Sequence, residues 1–220
     1  MKLHTVFISY NRLELLKETI FSYKETLTVP ATYVIVDNGS DPETVRWIRN
    51  SGLDFILLGS NYYPGYATNR GWELAPENAT HLQRSDNDFR YLPEWCDEVK
   101  RRFRDPGIGQ VGLRTDAEEG WEPSNCGGNN IIRRELWDQG LRYLERPWGQ
   151  YAKGHSEDSY FSPAVARMGW KWVRVRRPCI HNLASGDWGD EYYQESYGAR
   201  GIRPHPDDPT LTPELKEKLL

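Results

Sequence analysis

Two short acidic clusters carry the residue types best suited to chemistry in this chain. Arg84-Ser85-Asp86-Asn87-Asp88 sets two carboxylates two residues apart, behind a stretch that reads as a strand. Oxygen donors at that spacing suit a hard divalent cation such as Mg2+ or Mn2+, which shares its coordination with a phosphorylated ligand, so the motif reads as a diphosphate anchor. The plain alternative is a polar turn, because Asp and Asn hydrogen-bond their own backbone wherever a chain reverses. The second cluster, Gly154-His155-Ser156-Glu157-Asp158, opens a helix running towards Arg167-Met168. Carboxylates in a first helical turn are favoured by the helix dipole alone, so this cluster has a structural explanation of its own.

The elements that must position these clusters follow from the hydrophobic pattern. Leu3 to Tyr10 carries the apolar run Val6-Phe7-Ile8 and reads as a buried strand, broken at Asn11-Arg12 before Leu13 to Ile20 takes up helical spacing. Tyr33-Val34-Ile35-Val36 is a second buried strand ended by Asp37-Asn38-Gly39-Ser40. Asp41 or Ser40 then caps a helix with Pro42 and Glu43 in its first turn. Phe55 to Leu58 makes a third strand, Gly65 to Leu74 a third helix, and a fourth strand enters the acidic motif. Strand alternating with helix at this spacing predicts an α/β fold, a mostly parallel central sheet with helices on both faces.

In such sheets the ligand sits beyond the carboxyl ends of the strands. Tyr10 and Arg12 follow the first strand, Asp37 ends the second, Asn61 follows the third and Asp86 to Asp88 follow the fourth, so four segments deliver polar side chains to one rim. Singly, each has a plainer reading: Asp37-Asn38-Gly39-Ser40 as a turn, Arg12 as a solvated residue at a helix start. Further on, Pro93 to Phe103 reads as a helix, Gln110 to Leu113 as a short strand, and the acidic, Gly-punctuated 114–122 as an exposed loop. Asn125 to Trp137 turns through Gly127-Gly128 into a strand and a helix, and Trp170 to Val175 alternates as a strand. The segment 183–193, with Gly186, Trp188 and Gly189, suits a lid.

Composition bounds the possibilities. At 220 residues the chain is long enough for one large core. A net charge of −4 gives no overall attraction to nucleic acid or anionic lipid. Three widely spaced cysteines, Cys96, Cys126 and Cys179, fit neither a disulfide framework nor a zinc ligand set and read as reduced thiols. No apolar run approaches membrane-spanning length and no apolar signal core follows Met1-Lys2, so a cytoplasmic protein is expected. Nine Trp and thirteen Tyr, many between Gly and Pro in the second half, suit sugar or base pockets as well as ordinary packing.

Taken in order, Phe7-Ile8-Ser9-Tyr10-Asn11-Arg12, Val34-Ile35-Val36-Asp37-Asn38-Gly39-Ser40, Asn61 through Gly65-Tyr66-Ala67-Thr68-Asn69-Arg70-Gly71, and Asp86-Asn87-Asp88 resemble the inverting family 2 glycosyltransferases of the GT-A (Rossmann-like) fold. The ordered set is more specific than any one motif. The resemblance implies a single glycosyltransferase domain over 1–203, with a nucleotide-binding half at 1–113 and an acceptor half at 114–203. A tail with a short helix at 213–220 follows from residue 204. It implies that Tyr10 and Arg12 contact the base and phosphates of a nucleotide-sugar, with UDP-sugars the leading class, and that Asp37 receives the base's imide hydrogen. Ser9, Asn69 and Arg70 fall in the same nucleotide-binding set, and Asp86 holds the ribose or the metal. Asp88, with the late His181, ligates the Mn2+ or Mg2+ that bridges the diphosphate. Asp158 acts as the general base that takes the proton of a hydroxyl acceptor, and Glu157 binds donor or acceptor.

Two departures stand out. Thr68 occupies the place where many relatives have an arginine, and the strand entering the acidic motif, Thr80-His81-Leu82-Gln83-Arg84, is polar where relatives are apolar. Two rival classes remain. A sugar-1-phosphate nucleotidyltransferase would need a Gly-rich basic loop after the first strand, which Ser9-Tyr10-Asn11-Arg12 is not. A non-catalytic nucleotide-sugar-binding protein would dispense with Glu157-Asp158. Oligomeric state and acceptor, whether glycan, lipid, protein or modified nucleic acid, are not encoded legibly.

Overall fold

The computed structural model describes residues 1–113, 125–145 and 157–175, together with the backbone of 180–182. The expected loop at 114–122, the lid at 183–193, Cys179 and the tail from 204 with its short helix lie outside these residues, as does the side chain of His181. Among the described residues no helix is long and apolar enough to cross a membrane.

The chain alternates strand and helix as its pattern predicts: β1 (Leu3–Ser9), α1 (Leu13–Thr26), β2 (Ala31–Asp37), α2 (Pro42–Asn50), β3 (Asp54–Leu57), α3 (Tyr63–Trp72) and β4 (His81–Ser85). A short strand β5 (Phe89–Tyr91) precedes α4 (Trp95–Arg102), β6 (Ile108–Gly112), β7 (Asn130–Arg133), α5 (Arg134–Asp138), α6 (Glu157–Arg167), β8 (Lys171–Arg174) and β9 (Ile180–Asn182). Seven strands form one sheet in the order β3-β2-β1-β4-β7-β6-β8. All neighbours are parallel except β7, which runs antiparallel to both β4 and β6. A separate antiparallel ribbon joins β5 to β9, with Arg90 opposite His181. Neither β5 nor that pairing is visible in the sequence pattern, because three residues are too few to establish a period.

Alternation along β1 divides the core. Leu3 and Phe7 face α1, α2 and α4 through Leu16, Ile20, Ile48, Trp95 and Val99, whereas Val6 and Ile8 face α3, α5 and α6 through Ala67, Trp72, Leu136, Phe161 and Val165. Helix α3 lies close to the sheet because residue 71 is glycine: a Cβ there would collide with both methyls of Val6. Helix α2 is capped by Asp41, whose carboxylate accepts the Thr44 backbone N–H at 2.9 Å and is held below the usual carboxylate range by that bond. Helix α4 begins at Trp95 rather than Pro93, behind Glu94 in the left-handed region (φ 74°).

The polar strand β4 is wholly buried and central, between β1 and β7. Gln83 explains how this is possible. Its Nε2 donates to Tyr91 Oη at 2.9 Å, its Oε1 accepts from Thr5 Oγ1 at 3.2 Å, and its backbone oxygen accepts from Trp72 Nε1 at 3.1 Å. Tyr91 Oη in turn lies 2.8 Å from Ser85 Oγ and 3.1 Å from Asn129 Oδ1, two acceptors within reach of its one proton. A buried polar group is tolerated when partners of this kind replace water.

Candidate active site

Sheet register assembles the rim. Ser9 pairs with Asp37 and Asp37 with Leu57, while Phe7 pairs with Ser85, so β1, β2, β3 and β4 end at one level and Asp86 to Asp88 emerge beside Ser9 and Asp37. The order also places β1 between β2 and β4, the switch point at which open parallel sheets bind ligands.

The loop from β1 to α1 is strained. Asn11 and Arg12 both have left-handed backbones, with φ 53° and 57°, a conformation costing about 1–3 kcal/mol for a residue other than glycine. Neighbouring loops hold it in place. Asn11 N donates to Ser40 Oγ at 2.8 Å, Asp41 N donates to Asn11 Oδ1 at 2.8 Å, and Asn87 Nδ2 donates to Asn11 O at 3.1 Å. Ser9 Oγ lies 3.3 Å from Ser40 Oγ, which ties the ends of β1 and β2 together. The strained turn directs Arg12 onto Asp88, with Nη1 3.1 Å from Oδ2 and both side chains 8% exposed.

Asp37 is 1% exposed. Its Oδ2 accepts the backbone N–H groups of Gly39 and Ser40, each at 3.2 Å, while its Oδ1 is buried without a hydrogen-bond partner. A buried acceptor with nothing to accept is costly, and at the ligand-binding rim it is suited to the N–H of a bound molecule. Asn38 and Asn61 lock the adjoining loops, with Asn38 Nδ2 donating to Asn61 Oδ1 at 2.9 Å and Tyr62 N donating to Asn38 Oδ1 at 2.8 Å.

Asn69 and Arg70 lie further along. The Asn69 side chain is taken up by a distant segment: Nδ2 donates to Tyr143 O and Glu145 Oε1, both at 2.9 Å, and Oδ1 accepts from Tyr143 N at 3.1 Å. Arg70 reaches Glu73 and Glu145 and lies over the Tyr66 ring. Thr68 is buried, its hydroxyl donating to Pro64 O at 2.7 Å.

The two acidic clusters meet on one side chain, Arg84. The guanidinium is 2% exposed. Its Nε and Nη2 each lie 3.0 Å from Asp86 Oδ1, and its Nη1 lies 2.6 Å from Glu157 Oε1 and 3.0 Å from Asp158 Oδ1. Its carbon sits 5.1 Å from the centre of the Tyr143 ring, which stacks on Phe161 at 3.7 Å and 6°. Burial alone would lower the Arg84 pKa, but the carboxylates of Asp86, Asp158 and Glu157 outweigh it and push the pKa up. The arginine therefore stays charged. Gly128 makes room for this arrangement, since a Cβ there would overlap Asp86 Oδ2 and crowd Arg84 Nη2.

Sequence reasoning started from the motif that contains Arg84 yet gave that residue no task. The available signal was its position: an arginine inside a central strand must have buried counter-charges, and the two acidic clusters were the candidates. Tyr143 and Gly128 were missed for the same reason, their partners being remote in sequence.

Asp86 and Asp88 fit a divalent metal by donor type, both offering hard oxygens. The Asp86 side chain is 32% exposed, so an ion can reach it from solvent. Among the described residues no group of three or more His, Cys, Asp or Glu converges as a ready-made metal site. The backbone at His181 lies in the ribbon formed with β5, which begins directly after Asp88.

Known proteins share this architecture. A mannosyltransferase, PcManGT from Pyrobaculum calidifontis in complex with GDP-Man and Mn2+, superposes with a TM-score of 0.67 at 16% identity, over 99% of this chain and 67% of that one. A 1-349 fragment of S. aureus TarS in complex with UDP-GlcNAc gives a TM-score of 0.61 at 14% identity, over 100% of this chain and 70% of the fragment. Against a longer TarS structure the chain spans 42% of the length. At such identities the likeness is one of fold. No curated protein sequence matches the chain. The sequence model of the family described as glycosyl transferase family 2 matches residues 5–124, more than half the chain, from within β1 through β6 and including the acidic motif. With the fold and the matched segment in agreement, this chain belongs to glycosyl transferase family 2.

Proposed function

We propose that the chain transfers a sugar from a nucleotide-diphosphate sugar, with UDP-sugars the first class to test, to a hydroxyl acceptor with inversion at the anomeric carbon. The observation that carries this reading is the convergence of Asp86 from β4 with Glu157 and Asp158 from α6 on one buried guanidinium. A carboxylate on the donor side and a carboxylate on the acceptor side are what a single displacement requires.

Asp37 Oδ1, buried and unpartnered, receives the imide N–H of the base. Ser9, Tyr10 and Arg12 line the pocket for base and phosphates, with Asn69 and Arg70 on its far wall. Asp86 and Asp88 hold Mn2+ or Mg2+, with His181 as a further ligand. The bound cation supplies neutralisation of the charge that develops on the leaving diphosphate. Asp158 takes the proton of the acceptor hydroxyl as its oxygen attacks the anomeric carbon. The bond from that carbon to the phosphate oxygen breaks, and the nucleoside diphosphate departs with the electron pair. Glu157 contacts the donor or acceptor sugar.

A thermal-shift screen of UDP-glucose, UDP-galactose, UDP-GlcNAc and GDP-mannose, with and without Mn2+, tests the donor side, because a ligand that binds only the folded state raises its apparent stability. A metal-dependent shift with at least one of these donors is expected, and Asp88→Ala abolishes its metal dependence. Absence of any shift in wild type would contradict the reading.

A further inference from the structure

We infer that Arg84 is a positioning residue that fixes the proposed base Asp158 relative to Asp86, and so sets acceptor against donor; this rests on the reading of Asp158 above. Three observations support it. First, the guanidinium bonds Asp86 through Nε and Nη2 and the carboxylates of α6 through Nη1, so one planar group spans the acidic motif that ends β4 and the acidic pair that starts α6. Second, at 2% exposure it lies beyond the reach of a substrate and acts only through what it holds. Third, its own seat is fixed. Tyr143 lies beneath it and stacks on Phe161 of α6, so the helix is gripped at its first turn by charge and at its second by a ring. Tyr143 is anchored in turn by Asn69 on both its backbone N–H and C=O, and by Asn130, whose Nδ2 donates to Tyr143 Oη at 2.7 Å.

The chemistry requires an arginine. A guanidinium offers five N–H donors in a rigid plane and can serve two carboxylate groups on opposite edges, whereas a lysine ammonium is a point charge on a flexible stem. Without the fork, Asp86, Glu157 and Asp158 lose the guanidinium they share, and the first turn of α6 loses that tie to the end of β4. Misplacing a reacting group by about 1 Å costs about 10²-fold in rate.

The test is a cycle of variants, wild type, Arg84→Lys, Asp158→Asn and the double variant, each assayed for two quantities. One is UDP affinity with Mn2+ by calorimetry; the other is kcat for UDP release from UDP-glucose, UDP-galactose and UDP-GlcNAc, with water or simple sugars as acceptors. Expected are UDP affinity within about threefold of wild type for Arg84→Lys, a kcat lower by about 10²-fold, and a double variant no slower than Asp158→Asn alone, because a residue acting through another adds nothing once that other is gone. Unchanged kcat, a collapse of UDP affinity, or losses that multiply in the double variant would each overturn the inference while leaving Asp158 as the base. A wild type that binds UDP and never releases it from any of these sugars would remove the base reading and this inference together. Should Arg84→Lys not fold, the charge-balanced pair Arg84→Gln/Glu157→Gln, measured against Glu157→Gln alone, takes its place. The same fall in kcat at constant UDP affinity is expected, and equal kcat in the two would refute the role.

Discussion

Strand β4 carries two buried basic side chains three residues apart, and the two ends of the strand treat them in opposite ways. His81, at the amino end, is 7% exposed, packs edge-on against Phe103 at 4.5 Å and pairs across the sheet with Arg133. Burial, with the nearby positive charge of Arg133, pushes its pKa down to about 4, so the ring is neutral at pH 7. Arg84, at the carboxyl end, is as deeply buried and remains charged because three carboxylates surround it. One strand thus passes from an end whose surroundings discharge a base to an end built to hold charge. Among the described residues of β4, the carboxyl end is thus where a buried guanidinium is met by several carboxylates, at a cost that ordinary packing would avoid.

The largest expected effect on stability lies at the charged end. Arg84→Met keeps the length of the side chain but takes the guanidinium from buried Glu157 and from the partly exposed Asp86 and Asp158, and breaking a buried ion pair costs about 3–5 kcal/mol. Urea unfolding at pH 7 measures it. A loss under about 1 kcal/mol would mean that water reaches the cluster and that the contrast along β4 is not real.

The neutral end predicts a pH effect of nearly the same size. A histidine whose pKa falls on folding contributes stability that is fully present above its ordinary value near 6.5 and is lost as pH falls towards 4. At about 1.4 kcal/mol per unit, His81 accounts for up to about 3 kcal/mol over that window. His4, also pushed down by burial, adds to the same slope. Unfolding free energies at pH 7 and pH 5 should therefore diverge more in wild type than in His81→Gln, whatever the baseline of the variant. Identical slopes would show that the ring is solvated.

A smaller effect separates ligand binding from stability at the rim. Asp37→Ala should weaken UDP binding by about 1–3 kcal/mol, the usual worth of a hydrogen bond to a charged acceptor. Calorimetry with UDP and Mn2+ checks it. Equal affinity in variant and wild type would leave Asp37 only its turn bonds to Gly39 and Ser40.

The contrast along β4 also explains what was legible in the sequence. Periodicity and turn chemistry are local, so β1 through α3, the cap at Asp41 and the common level of Ser9, Asp37 and Asp86 all followed from short windows of residues. The general fold followed as well, since alternating strands and helices permit few arrangements. Three features did not. The antiparallel β7 between β4 and β6 depends on which strands pair, and periodicity is silent on pairing. The polar character of β4 reads as a defect until Gln83 is seen bonded to Tyr91 and Thr5. Asn69 reads as a pocket residue, and nothing in the sequence shows that its amide also binds backbone and side-chain atoms of a segment more than seventy residues on. In each case the deciding partners lie on other elements, and the residue alone carries no address for them.

The central claim is that the acidic pair of α6 performs chemistry while the rim of β1, β2 and β4 binds the donor. Asp158→Asn tests it most directly, because the amide keeps size and position at the start of α6 but cannot take a proton at neutral pH. Donor and metal affinity should stay close to wild type while transfer slows by about 10² to 10⁴, the usual contribution of a positioned general base. A variant with full transferase activity would contradict the account, as would one whose donor affinity collapses along with its rate.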